Sequence, residues 1–236
     1  MKIVSLVPSL TETSRAWGIE PVACTRYCEQ PDLPHVGGTK NPDIDAIVAL
    51  APDLVMLDKV ENCKEDAEAL EERGIELFVT DVRTLADVAP DLDRMAEALQ
   101  LPSQTQHWPD YSTGPAYSRD SVSPENDGRF FVPIWRRPWM AIGPDTYGST
   151  LLEHLGLANV FTDQAIEYPE IELVEVLALN PNIVLAPSEP YEFQPEHLDE
   201  LRTVAPVVEV DGQDLFWWGV RTPDAIDRLG KHVAGR

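Results

Sequence analysis

The alternation of apolar and polar positions follows one plan twice. KIVSLVPS at 2–9 is a short apolar run that ends in a proline turn, and RFFVPIW at 129–135 is its counterpart further along. NPDIDAIVALAPDLVML (41–57) is echoed by IELVEVLALNPNIVLA (171–186). In that alignment Ile44, Ile47 and Val48 fall on Leu173, Val176 and Leu177, an i, i+3, i+4 spacing that predicts one buried helix face. Pro52 and Pro181 end the two helices and open the apolar runs LVML and IVLA. Runs apolar on both sides and this short predict parallel strands covered by helices on both faces.

The echo extends both ways. TETSRAWGIEPVAC (11–24) parallels STLLEHLGLANVF (149–161), each a short helix stopped by a glycine, Gly18 or Gly156. VRT at 82–84 recurs at 220–222, each time before a helical tail. Each half therefore reads strand–helix–strand–helix–strand–helix–strand. That alternation predicts an α/β fold of two similar lobes, each a parallel sheet flanked by helices. The expected bounds are 1–100 for the first lobe and 129–236 for the second. The stretch 101–128 has no apolar period and is rich in Ser and Pro, so it is expected to be the linker or spine region.

Charge narrows the partners. The net charge of -23 comes from 41 acidic against 18 basic residues. Such a surface repels phosphate backbones and anionic membranes, so nucleic acid is excluded as a natural partner. No stretch approaches the ~20 apolar residues of a membrane span, so membrane insertion is not expected. Three cysteines, Cys24, Cys28 and Cys63, argue against a disulfide framework and for free thiols. MKIVSLVPSL lacks the long apolar region and cleavage site of a signal peptide. The expected compartment is the cytoplasm for the chain as encoded, and outside it if the chain is a trimmed mature form.

VPIWRRPWM (132–140) is the segment whose chemistry stands out. Pro133 and Pro138 exclude a helix interior, where each would cost about 3 kcal/mol. In open parallel sheets, ligands bind beyond the carboxyl ends of the strands. That rule puts Pro8 and Ser9 on the rim of the first lobe, and Trp135, Arg136 and Trp139 on the rim of the second. FWWGVRTP (216–223) adds Trp217, Trp218 and Arg221 to the second rim, while TRYCEQP (25–31) adds Arg26 and Tyr27 to the first. Tryptophan at a rim offers flat apolar area with an N–H handle. The expected ligand is large and flat or hydrophobic.

Motifs for chemistry are absent. There is no glycine-rich phosphate loop, no GxSxG and no HExxH. The five histidines are scattered, and Cys24-x3-Cys28 with His35 and Cys63 matches no zinc spacing. Neither a resident metal nor a cofactor is expected. An enzyme using the same cleft would need a carboxylate base, for which Glu12, Asp58 and Asp145 are the candidates.

The motifs SLVPSLTET, VGGTKNPDIDAIVALAPDLV, VPIWRRPWMAIGPDTYGSTLLEHLG, SEPYEF and WWGVRTP, in that order, resemble the substrate-binding proteins of cobalamin and iron-siderophore ABC importers. These are the helical-backbone metal receptors, or class III periplasmic binding proteins. The resemblance spans the chain apart from roughly 101–128. It implies two α/β lobes joined by one long spine helix, with the ligand clamped in a cleft between them. It implies that Tyr27 and Trp217 are aromatic ligand contacts and that the turn after Val132 forms a facing wall. Asp58 stands where cobalamin-binding members can place a ring-stacking tryptophan. An acidic residue on each lobe, Glu65 and Glu196, would dock on an ABC permease. The implied function is non-catalytic binding of a metal chelate by a monomer: a cobalamin-like corrinoid, or alternatively haem or a ferric siderophore.

Overall fold

The computed structural model describes residues 1–112, 128–161 and 166–234. Most of the expected linker, 113–127, lies outside the described residues, and 101–112 forms neither helix nor strand. The chain divides into two compact units. The first comprises 1–82, 87–108 and 219–221, and the second 83–86, 109–218 and 222–236.

In the first unit, β1 (Ile3–Ser5), β2 (Ala23–Cys24), β3 (Leu54–Asp58) and β4 (Leu77–Thr80) make a sheet of order β2-β1-β3-β4. All its pairings are parallel, with Val4 opposite both Ala23 and Val55. Both β1 and β3 are buried along their whole length, which is why they are apolar apart from Ser5 and Asp58 at their carboxyl ends. The helices are α1 (Pro8–Ala16), α2 (Ile44–Ala49), α3 (Lys64–Glu71) and, from Asp87 onward, α4 (Leu85–Ala98). Pro8 sits at the first helical position of α1, where the missing N–H leaves no bond unmade. Asp43 caps α2 by accepting from the Ala46 N–H at 3.0 Å.

The second unit repeats this plan. Its strands β5 (Arg129–Phe131), β8 (Ala158–Asn159), β10 (Ile183–Pro187) and β11 (Val207–Val210) are ordered β8-β5-β10-β11, again all parallel. Its helices are α5 (Tyr147–His154), α6 (Leu173–Ala178), α7 (Pro195–Arg202), α8 (Gly212–Phe216) and α9 (Thr222–Ala234). The duplication reaches the helix ends. Gly18 (φ 77°) and Gly156 (φ 86°) adopt the left-handed conformation after α1 and α5. At each end the next N–H reaches back five residues, Ile19 to Ser14 at 2.9 Å and Leu157 to Leu152 at 3.1 Å.

Two details depart from the expected plan. RFFVPIW is not one strand: Phe131 still pairs with Val184, but Pro133 has no N–H to continue a ladder. The chain instead enters a second, antiparallel sheet of β6 (Pro133–Trp135), β7 (Trp139–Ala141) and β9 (Glu170–Ile171). The second detail is the face of α6. Val176 and its counterpart Ile47 are fully buried, but Leu177 is exposed, because a six-residue helix buries only one turn of its apolar stripe.

Candidate functional site

VPIWRRPWM is a β-hairpin. Trp135 opposes Met140 and Pro133 opposes Ala141, with Arg136–Pro138 at the tip. Arg137 takes a positive φ of 75° at this tip, and the bond from it to Pro138 is cis. The two tryptophans thereby meet the loop after β10, which also contains a cis proline, Glu189–Pro190. Trp135 lies edge-on to Tyr191 with ring centres 5.1 Å apart, and Trp139 stacks on Phe193 at 5.9 Å. Tyr191 and Phe193 touch at 5.0 Å, and His197 of α7 lies 5.7 Å from Tyr191. Trp135 is 45% exposed, so this run of rings is open to solvent at one end. A cavity of about 390 Å³ adjoins it at the carboxyl ends of β10 and β11. Ala186, Phe193, Leu198 and Val210 give it an apolar floor, and Glu192 and Glu209 add carboxylates.

Tyr191, Phe193 and His197 had no individual signal in sequence. SEPYEF follows a strand, but nothing in its spacing tells that both aromatic rings lie against the hairpin.

The first unit presents a smaller aromatic face. Tyr27 is 53% exposed, and the Arg26 guanidinium lies 5.2 Å from its ring centre. Gly38 makes the seat beneath them. A Cβ there would stand 2.6 Å from Asn41 Oδ1 and 3.1 Å from both Arg26 Nη2 and Tyr27 Cε2. Pro8 is partly exposed and Ser9 is buried at the start of α1. Asp58 is buried at the end of β3, where Oδ1 accepts from the N–H groups of Val60 (2.8 Å) and Glu61 (3.2 Å). Its Oδ2 accepts from the Thr80 hydroxyl at 2.7 Å. Burial pushes this carboxyl above its ordinary range, against the pull of those bonds. Asp58 thus holds its own turn together.

The arginines are committed as well. Arg136 binds Glu200, with Nε at 3.2 Å and Nη2 at 2.5 Å, while its guanidinium also covers the Trp139 ring at 5.5 Å. Arg221 belongs to the first unit, not to the rim of the second. It binds Glu12 through Nε and Nη2 at 2.7 Å each. Residue 219 allows this as glycine only: its φ is 137°, and a Cβ would stand 2.4 Å from Thr13 Oγ1. Trp217 is half-buried at the end of α8, whereas Trp218 is 6% exposed and packs as core.

Glu65 and Glu196 occupy matching places. Each is the second residue of its helix, α3 or α7, in the first turn, and each is exposed. Carboxylates there are favoured by the helix dipole. Among the described residues no group of three or more His, Cys, Asp or Glu could hold a metal ion, and no helix is long and apolar enough to cross a membrane.

The fold and its aromatic face can be set beside known proteins. A vitamin B12-binding protein of Yersinia pestis is 26% identical over 191 residues, covering 78% of this chain and 68% of that one. The solved periplasmic vitamin B12 binding protein of Vibrio cholerae superposes with a TM-score of 0.75 at 20% identity, over 99% of this chain and 96% of that one. A periplasmic heme-binding protein from Roseiflexus sp. RS-1 gives 0.78 at 20% identity, over 98% and 97%. At such identities the structural likenesses establish the fold alone. The sequence model of the periplasmic binding protein family matches residues 3–207, so the chain belongs to that family.

Proposed function

We propose that this protein binds a metal chelate without chemical change and presents it to an ABC importer, and that a corrinoid of the cobalamin type fits best. The observation that carries the reading is the run Trp135–Tyr191–Phe193–Trp139, four rings on one unit of a family that binds solutes, exposed at Trp135 and part-buried along the rest. Flat aromatic faces match the faces of a macrocycle, at about 0.5–1.5 kcal/mol per ring contact beyond the area buried. Relatives named as vitamin B12-binding proteins support the corrinoid. So does the charge pattern: Arg136 and Arg221 are each matched by a carboxylate, which favours a ligand without strongly anionic groups. Tyr27 offers a like face on the first unit, and Trp217 a further contact. Pro8 and Ser9 open α1, the helix that carries Glu12, and Trp218 supports its neighbour from the core.

Haem is the second reading, favoured by solved neighbours of the same fold that are named as heme-binding. An enzyme with a carboxylate base finds less support. Glu12 is held by Arg221, and both Asp58 oxygens are occupied. Neighbours named as periplasmic support placing the protein outside the cytoplasm, the second of the compartments considered above. Glu65 and Glu196 would then face a permease.

Native mass spectrometry of the protein after incubation with cobalamin, haem or a ferric siderophore tests the reading. One unchanged cobalamin per chain is expected. A chemically altered product would favour the enzyme, and preferential retention of haem would favour the second reading.

A further inference from the structure

The cavity at the carboxyl ends of β10 and β11 lies wholly within the second unit and carries polar groups that the aromatic run does not use. They are Ser188, Glu192 and Glu209. Glu192 stands between Tyr191 and Phe193 in the loop after β10, so its position is tied to the rings of the candidate site. Glu209 is opposite Ala186 across the parallel β10–β11 ladder, where the small alanine side chain leaves room beside it. Among the described residues neither carboxylate has a hydrogen-bond or ion-pair partner. Glu200 and Glu12, by contrast, are each held by an arginine. The Ser188 Oγ accepts from the Gly212 N–H at 3.0 Å, and among the described residues no group accepts its own hydrogen.

We infer that Glu192 and Glu209 are specificity-determining residues, which select chelates bearing carboxamide side chains over chelates bearing carboxylates. This selection rests on the corrinoid reading given above and extends it from the flat face of the macrocycle to its side chains. A primary carboxamide offers two N–H donors and one carbonyl acceptor, whereas a carboxylate offers acceptors alone. The cavity is the complement of the first: two carboxylates to accept the N–H groups and the Ser188 hydroxyl to donate to the carbonyl. Hydrogen bonds to an ionised acceptor are roughly twice as strong as neutral ones. A ligand carboxylate brought to the same place meets two like charges instead. Arg136, which covers the Trp139 ring, is already held by Glu200 and does not offset that repulsion.

The test uses the full chain and calorimetric titration with two probes, dicyanocobinamide and dicyanocobyrinic acid. They share a corrin ring, a metal and its cyanide ligands, but the first carries amides where the second carries free carboxylates. The wild type should prefer the amide by about tenfold or more at pH 7. Glu192→Gln with Glu209→Gln keeps the side-chain shapes and should cut that preference by about tenfold, with each single variant in between. Glu71→Gln with Glu72→Gln removes the same two charges from an exposed place on the first unit and should leave the preference unchanged. A preference unmoved by the cavity pair, or moved as far by the control pair, overturns the selection and leaves corrinoid binding standing. A folded wild type that binds neither probe contradicts the corrinoid reading itself, and the selection with it.

Discussion

Arg136 is bound to Glu200 through two nitrogens, at 3.2 and 2.5 Å, while its guanidinium lies over the Trp139 ring. One side chain thus ties the hairpin tip to α7 and completes the aromatic stack. An anionic ligand could recruit this arginine only by displacing Glu200. Glu200→Gln should therefore raise affinity for a carboxylate-bearing chelate such as haem by about tenfold, or ~1.4 kcal/mol, relative to a neutral corrinoid. Calorimetric titration of the two ligands checks this. An equal change for both would show that Arg136 does not sense ligand charge.

Trp135 and Trp218 should behave oppositely. Trp218 is core, so Trp218→Ala should lower unfolding free energy by about 3–5 kcal/mol, as large-to-small aromatic substitutions do. Trp135 is nearly half exposed, and Trp135→Ala should stay within about 1 kcal/mol. Urea unfolding followed by circular dichroism distinguishes them; similar costs would make Trp135 a structural residue.

Asp58 gives a pH signature. Its folded-state pKa is raised above the unfolded value, mainly by burial, so folding favours its protonated form. That contribution is complete below about pH 4, the ordinary Asp value, and is lost as pH rises through the folded value. Asp58→Asn keeps an Oδ1 acceptor for Val60 and Glu61 and removes the titration. Its stability relative to wild type should rise from acid towards neutral pH. Parallel curves for the two proteins from pH 4 to 7 would contradict this.

Much of this molecule was legible in its sequence, because the fold rests on local signals. Buried strands such as LVML and IVLA, helix-ending Gly18 and Gly156, and the doubled order of elements all act within a few residues of themselves. The site was legible only as a set of aromatics near strand ends. The hairpin tip takes a positive φ at Arg137, a conformation that an arginine in the sequence does not announce. Pairings such as Arg136–Glu200 and Arg221–Glu12 join residues far apart in the chain, so the arginines looked available for a ligand when carboxylates already hold them.

The matching places of Glu65 and Glu196 in α3 and α7 bear on the proposed docking to a permease. Reversing both charges, Glu65→Lys with Glu196→Lys, should leave ligand affinity unchanged and reduce uptake through a reconstituted permease by about tenfold or more. Each reversal should cost about 0.3–1 kcal/mol of stability at its helix start. Wild-type uptake by the double variant would remove these residues from docking.

The most direct measurement is tryptophan fluorescence during titration with cobalamin, compared between wild type and Trp135→Ala. Aromatic faces that stack on a corrinoid predict saturable quenching in the wild type. The variant should lose about tenfold in affinity, or ~1.4 kcal/mol, with its fold intact. An absence of saturable binding by the folded wild-type protein, for cobalamin and equally for haem and a ferric siderophore, would contradict the proposed function.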